Sequence, residues 1–172
     1  PGRDNAPRLA GRMRAFGAGA AARGLLGLAA LSTTTPLPFS HEFSPLGLPQ
    51  INTAACTGCG TCASACPANA ISQQEEAGAA VITIDPARCI ACGECVAICP
   101  ERDRGAITVS PVTDVAALRN GPAVQFHGTS VRCRSCGRVF TTREVLDRLK
   151  ALLGGDYREQ PLGTLCPDCR GR

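Results

Sequence analysis

The sequence predicts an α+β chain in three parts: a basic arm (1–50), a compact central domain (51–111) and a small cysteine module with a helix (112–172). Three observations carry this division. Twelve cysteines fall in short steps confined to residues 56–99 and 133–169. The first group repeats itself 33 positions along the chain. Charge also changes sign, from +3 over 1–50 to −3 over 51–111 and +4 over 112–172. Large side chains are scarce: five Phe, one Tyr and no Trp, against 19 Gly and 13 Pro. A chain of this kind buries little apolar area per residue, so its cysteines must help hold it together. Disulfide frameworks scatter their cysteines between loops. Here every cysteine lies in a C-x-x-C or C-x-x-x-C step, which aims several sulfurs at one point, as a metal requires.

The arm carries five Arg against Asp4 and Glu42 and ends in a Pro-rich stretch from Pro36 to Pro49. It opens on Pro1, so processing, or excision from a longer chain, is expected. Leu9, Met13 and Phe16 fall at i, i+4 and i+7 beside Arg8 and Arg12, which predicts a short basic amphipathic helix ending near Phe16. Gly24–Leu31 is apolar but too short to span a membrane, and Arg23 precedes it. Elements of a secretory signal are loosely present, but Met13 splits Arg12 from Arg14, so there is no twin-Arg pair. The arm is expected to be irregular or helical and to act as a docking arm or linker. His41, within it, is expected to be a solvated loop residue.

In the central part the run C-x-x-C-x-x-C-x-x-x-C-P occurs at Cys56–Pro67 and again at Cys89–Pro100. Ala70-Ile71 returns as Ala106-Ile107, three positions late because of an insertion after Pro100. Val81–Ile84 and Ile107–Val109 are β-rich. Each half therefore reads as a cysteine loop, a short helical turn and a strand. Three cysteines two residues apart can wrap one face of an iron–sulfur cubane, with backbone N–H groups turned inward toward its sulfides. Two zinc sites are the rival reading, but zinc commonly takes its ligands as two pairs, and a tight triplet with a distant fourth suits a cubane better.

These eight cysteines resemble those of the bacterial-type two-[4Fe–4S] ferredoxins, over about 60 of the 172 residues. The resemblance implies a small pseudo-twofold α+β domain with two antiparallel hairpins. It implies that Cys56, Cys59, Cys62 and Cys99 hold cluster I, and that Cys89, Cys92, Cys95 and Cys66 hold cluster II. The longer turn from Pro100 to Ala106 departs from the family pattern and is expected to alter the surface near cluster I, as a partner contact.

Residues 112–128 read as a linker or loose edge. Beyond them, Cys133-x-x-Cys136-Gly137 and Cys166-Pro167-x-Cys169 form two C-x-x-C steps with 29 residues between them. The spacing is similar to that of a zinc ribbon, so one Zn²⁺ on Cys133, Cys136, Cys166 and Cys169 is expected; a single rubredoxin-like iron is the alternative. His127 precedes the first step as a spare ligand at most. A helix is predicted between the steps. Thr141 is its N-cap, Glu144 closes a capping box, and Phe140 and Val145 form a staple. Val145, Leu146, Leu149, Leu152 and Leu153 give an apolar stripe, and Gly154-Gly155 ends it.

The function expected is one-electron transfer through two clusters. Residues 51–111 show no acid/base pair or substrate pocket, so the chain reads as an electron carrier or an electron-transfer subunit that docks onto a larger oxidoreductase. Its expected location is the cytoplasm, or the cytoplasmic face of a membrane complex reached through a partner. The alternative is a nucleic-acid or regulatory partner-binding protein using its basic tail, which holds Arg132, Arg134, Arg138, Arg143, Arg148, Lys150, Arg170 and Arg172. Interleaved acids and the lack of stacking aromatics weigh against nucleic acid.

Overall fold

A computed structural model describes Gly24, residues 39–40, Ser44, residues 46–157 and residues 162–171. The helix expected near Leu9–Phe16, the rest of the apolar run after Gly24, and His41 lie outside the described residues.

The elements run β1 (Phe39–Ser40), β2 (Leu48–Ile51), α1 (Thr61–Ala65), β3 (Ile71–Glu76), β4 (Ala79–Ile84) and α2 (Glu94–Ala97). They continue with β5 (Ile107–Ser110), β6 (Val112–Thr113), α3 (Val115–Asn120), β7 (Ala123–Arg132), β8 (Val139–Thr142), α4 (Arg143–Leu153) and α5 (Pro167–Arg170). Strands and helices are both present, as an α+β chain requires.

The internal repeat reappears bond for bond. Antiparallel β2 and β5 place Ile51 opposite Ile107, and the β3–β4 hairpin places Ile84 opposite Ile71. Thirty-three positions separate Ile51 from Ile84. After each, the chain makes the same turn: Asn52 N–H donates to Ala106 O at 3.0 Å, and Asp85 N–H donates to Ala70 O at 2.8 Å. Asn52 then accepts from Ala54 N–H, and Asp85 from Ala87 N–H, two turns in which the side chain mimics backbone. Each half thus opens with a strand that pairs with the strand closing the other half. Ile71, Ile82, Ile84, Ile107 and Phe126 form the buried core with Cys62 and Cys95. Each fully buried aliphatic or aromatic side chain contributes about 1.5–3 kcal/mol, so this small core is organised around its sulfurs as much as its hydrocarbons.

The stretch read as a linker is structured. Residues 115–120 form α3, capped by Asp114, whose carboxylate accepts from Ala117 N–H. Its Leu118 joins Leu46, Ala68 and Ile90 in a second cluster. Residues 123–132 form β7, which adds to β4 and then pairs with β8, giving a four-stranded sheet in the order β3-β4-β7-β8. The physical reason is burial against both neighbours: Phe126 and Gly128 are buried on one face and Val131 on the other, while His127 and Thr129 are exposed. The Pro-rich stretch likewise ends in β2, with Pro49 buried. Pro49 has no N–H to give, yet the strand needs none there on its outer edge.

Helix α4 is present, but its N-cap is Thr142, one residue later than expected. Thr142 Oγ1 accepts from Val145 N–H at 3.4 Å. Glu144 closes no capping box; its carboxylate accepts from Thr129 N–H on β7 at 3.0 Å. Gly154 ends the helix at φ 53°. Only the first turn of the predicted stripe faces inward: Leu146 is 3% exposed and Val145 half-buried, whereas Leu149, Leu152 and Leu153 are exposed.

Candidate iron-sulfur and metal centres

Backbone shape positions the eight central sulfurs. Gly60 and Gly93, 33 apart, both take left-handed φ, +77° and +75°, and act as N-caps of α1 and α2. Gly58 at +65° is matched by Ala91 at +52°, so the second loop holds the same bend without a glycine. At such corners successive N–H groups turn inward. Gly58 N–H donates to Cys56 Sγ at 3.4 Å, and Ala70 N–H to Cys66 Sγ at 3.3 Å. Ala91 N–H donates likewise to Cys89, and Glu101 N–H to Cys99.

The structure gathers these cysteines into two groups. One pocket is lined by Cys56, Cys59, Cys62 and Cys99, with Ile51, Ile82 and Ile107 behind them. The other is lined by Cys66, Cys89, Cys92 and Cys95, with Pro49, Ile71 and Val109. Each triplet is completed by the fourth cysteine of the other half. Cys59 and Cys92, the middle members, are exposed; Cys62, Cys89 and Cys95 are buried. Burial pushes the Cys62 thiol up to about 11 and the Cys95 thiol up to about 12, and raises Cys56, Cys89 and Cys99 as well. Buried thiols with N–H groups aimed at their sulfurs are costly as bare thiolates and well matched to a metal, which takes the thiolate form. The donor set fits an iron–sulfur cluster in each pocket.

Residues 55–102 match the 4Fe-4S dicluster domain family. No curated protein matches the chain. The dicluster domain identifies an iron–sulfur protein and indicates electron transfer. It ends at residue 102, well short of the second cysteine group, so the tail is a separate feature.

In the tail, Cys133, Cys136, Cys166 and Cys169 place their sulfurs all within 4.8 Å of one another. Cys136 Sγ lies 3.8 Å from Cys166 Sγ. Four sulfurs about 2.3 Å from a tetrahedral ion stand about 3.8 Å apart, so the quartet fits a single ion of zinc's size. The knuckles are fastened by Gly137 N–H to Cys133 O at 2.9 Å, Arg134 N–H to Thr164 O at 2.9 Å and Cys169 N–H to Cys166 O at 3.0 Å. Cys166 N–H, followed after an opposing cost of burial by Cys136 and Ser135 N–H, brings the Cys133 thiol down to about 6. Arg138 donates to Cys166 Sγ at 3.6 Å and pairs with Asp168. His127 stands exposed on β7, outside this group.

Sequence reasoning missed how the tail meets the first cysteine loop. Thr142 Oγ1 donates to Thr57 O at 2.5 Å. Phe126 packs so closely on Gly58 that a Cβ built there would lie 2.5 Å from its ring. The insertion after Pro100 also contacts this chain: Arg104 donates to Ala54 O and Ala55 O, and Glu101 is bonded by Arg148 of α4. The available signal was the β-rich Val124–Phe126 and Thr129–Val131 run, interrupted by Gly128.

Proposed function

We propose that the chain passes electrons singly through two [4Fe–4S] clusters, one held by Cys56, Cys59, Cys62 and Cys99 and the other by Cys89, Cys92, Cys95 and Cys66. The observation that carries this is the reciprocal grouping of eight sulfurs around two separate apolar pockets. Clusters of this type supply one-electron chemistry. The protein's contribution is to hold the thiolates, direct N–H groups at their sulfurs and keep water out with Ile51, Ile71, Ile82 and Ile107. Exposed Cys59 and Cys92 offer one surface approach at each pocket. The tail quartet holds a structural Zn²⁺, with one rubredoxin-like iron as the variant reading.

We assign the chain to the electron carriers or electron-transfer subunits, docking onto a larger oxidoreductase in the cytoplasm or at the cytoplasmic face of a membrane complex. Twelve cysteines in metal-ligand spacing, and none in a scattered disulfide framework, suit a reducing compartment. Among the described residues no helix is long and apolar enough to cross a membrane. The nucleic-acid reading is weakened because four of the tail's arginines are engaged within the chain. Arg132 pairs with Glu75, Arg138 with Asp168 and Arg148 with Glu101, while Arg170 donates to Leu162 O and Leu165 O.

The test is anaerobic reduction with dithionite, removal of excess reductant, and mixing with oxidised cytochrome c as a one-electron acceptor. About two equivalents of cytochrome per chain should be reduced. A protein that carries iron and sulfide yet delivers no electrons would overturn the reading in favour of structural clusters.

A further inference from the structure

The two pockets differ in one respect that the repeat does not require. The pocket of Cys66, Cys89, Cys92 and Cys95 is lined by no charged residue. The pocket of Cys56, Cys59, Cys62 and Cys99 is lined by Glu101, which is 8% exposed. The shorter turn of the other half, Ala68-Asn69 between Pro67 and Ala70, carries no charge. A carboxylate in such a place needs partners, and it has two. Arg104 Nη1 stands 3.0 Å from Glu101 Oε2, and Arg148 Nε stands 3.1 Å from both carboxylate oxygens. Arg104 belongs to the same turn and also holds Ala54 O and Ala55 O. Arg148 comes from α4, 47 residues away, so this contact requires the tail to be seated. Its seat is fixed by Thr142 on Thr57 O and by Glu144 on Thr129 N–H.

Resting on the two-cluster reading, we propose that Arg148 and Glu101 set the reduction potential of the centre held by Cys56, Cys59, Cys62 and Cys99, so that the seated tail tunes one centre and leaves the other alone. Cluster potentials follow nearby charge, hydrogen bonds to sulfur and exposure. An added electron brings negative charge into the pocket. The Glu101 carboxylate opposes it, and the Arg148 guanidinium favours it, with the carboxylate the better shielded of the two from water. Removing Arg148 leaves Glu101 balanced by Arg104 alone, so reduction becomes harder. Neutralising Glu101 makes it easier. Arg148 is therefore a tuning residue that acts both by its own charge and by holding and offsetting Glu101.

The test is a dithionite titration followed by electron paramagnetic resonance on the full anaerobically purified chain, with iron and sulfide counted for each variant. In Arg148→Gln one of the two midpoints should fall, in Glu101→Gln one should rise, and the second midpoint should stay in place in both. Arg148→Lys should restore the wild-type value. In Arg148→Gln, hydrogen exchange of residues 143–153 should quicken. On the Glu101→Gln background the Arg148→Gln shift should shrink, as coupled neighbours require. Unmoved midpoints in variants that keep full iron, or equal shifts of both centres, would overturn the proposal. A wild-type protein without iron and sulfide would instead overturn the reading beneath it.

Discussion

The loops at Cys56–Cys62 and Cys89–Cys95 trace the same backbone but are roofed by different parts of the chain. The first lies under the tail: Phe126 covers Gly58, and Thr142 and Arg148 reach Thr57 and Glu101. The second lies under the segment before the domain and under α3. Gly47 meets Ala91, and Gly47 N–H donates to Cys89 O at 3.1 Å, while Leu46 and Leu118 pack with Ile90. A duplicated motif makes two equal sites, and the flanking chain makes them unequal. What looks like decoration around a small electron-transfer unit is what gives each half its own environment.

The largest expected effect comes from exchanging a shared ligand. Cys99→Ser should cost the centre of the first loop and Cys66→Ser that of the second, because in the proposed arrangement each fourth cysteine serves the opposite half. Iron and sulfide should each fall by about half per chain, with residual spectra that differ between the two variants. Identical spectra would mean that the halves do not exchange ligands.

The roofs come next. Phe126→Ala and Leu118→Ala each remove a buried side chain, costing about 3–5 and 2–5 kcal/mol respectively. Visible absorbance followed at constant temperature should show faster bleaching in both. In Phe126→Ala the fast phase should belong to the centre that Cys99→Ser removes, and in Leu118→Ala to the other.

The corners give the smallest contrast. Gly58→Ala forces a side chain into left-handed φ and against Phe126, at about 2–4 kcal/mol. Ala91→Gly relieves the same backbone cost while loosening the unfolded chain, and should change stability by less than about 1 kcal/mol. Comparable losses of Tm in both variants would contradict the difference drawn between the loops.

The cysteine chemistry was legible because ligand spacing is local and the repeat is explicit. Other features depended on distant partners. β3 reads Ile-Ser-Gln-Gln-Glu-Glu, with only Ile71 buried, so nothing in its own pattern marks a strand; pairing with β4 makes it one. β7 hid behind Pro122 and Gly128, and Gly128 is there because a Cβ would collide with Phe126. The cap of α4 was misplaced by one residue because two threonines adjoin, and the first, Thr141, pairs with Val131 within β8. Glu144 matched a capping box in spacing but was taken by Thr129 N–H across the sheet. Glu101 sat in plain view two residues after Cys99, yet its importance depends on Arg148, which only the folded tail brings near.

The central claim is that two quartets hold iron–sulfur clusters and a third holds one ion. It is tested most directly by measuring iron, acid-labile sulfide and zinc per chain after anaerobic purification. The account predicts about eight iron, eight sulfide and one zinc; nine iron without zinc would keep the clusters and make the tail a one-iron site. About three zinc with no sulfide would contradict the account outright.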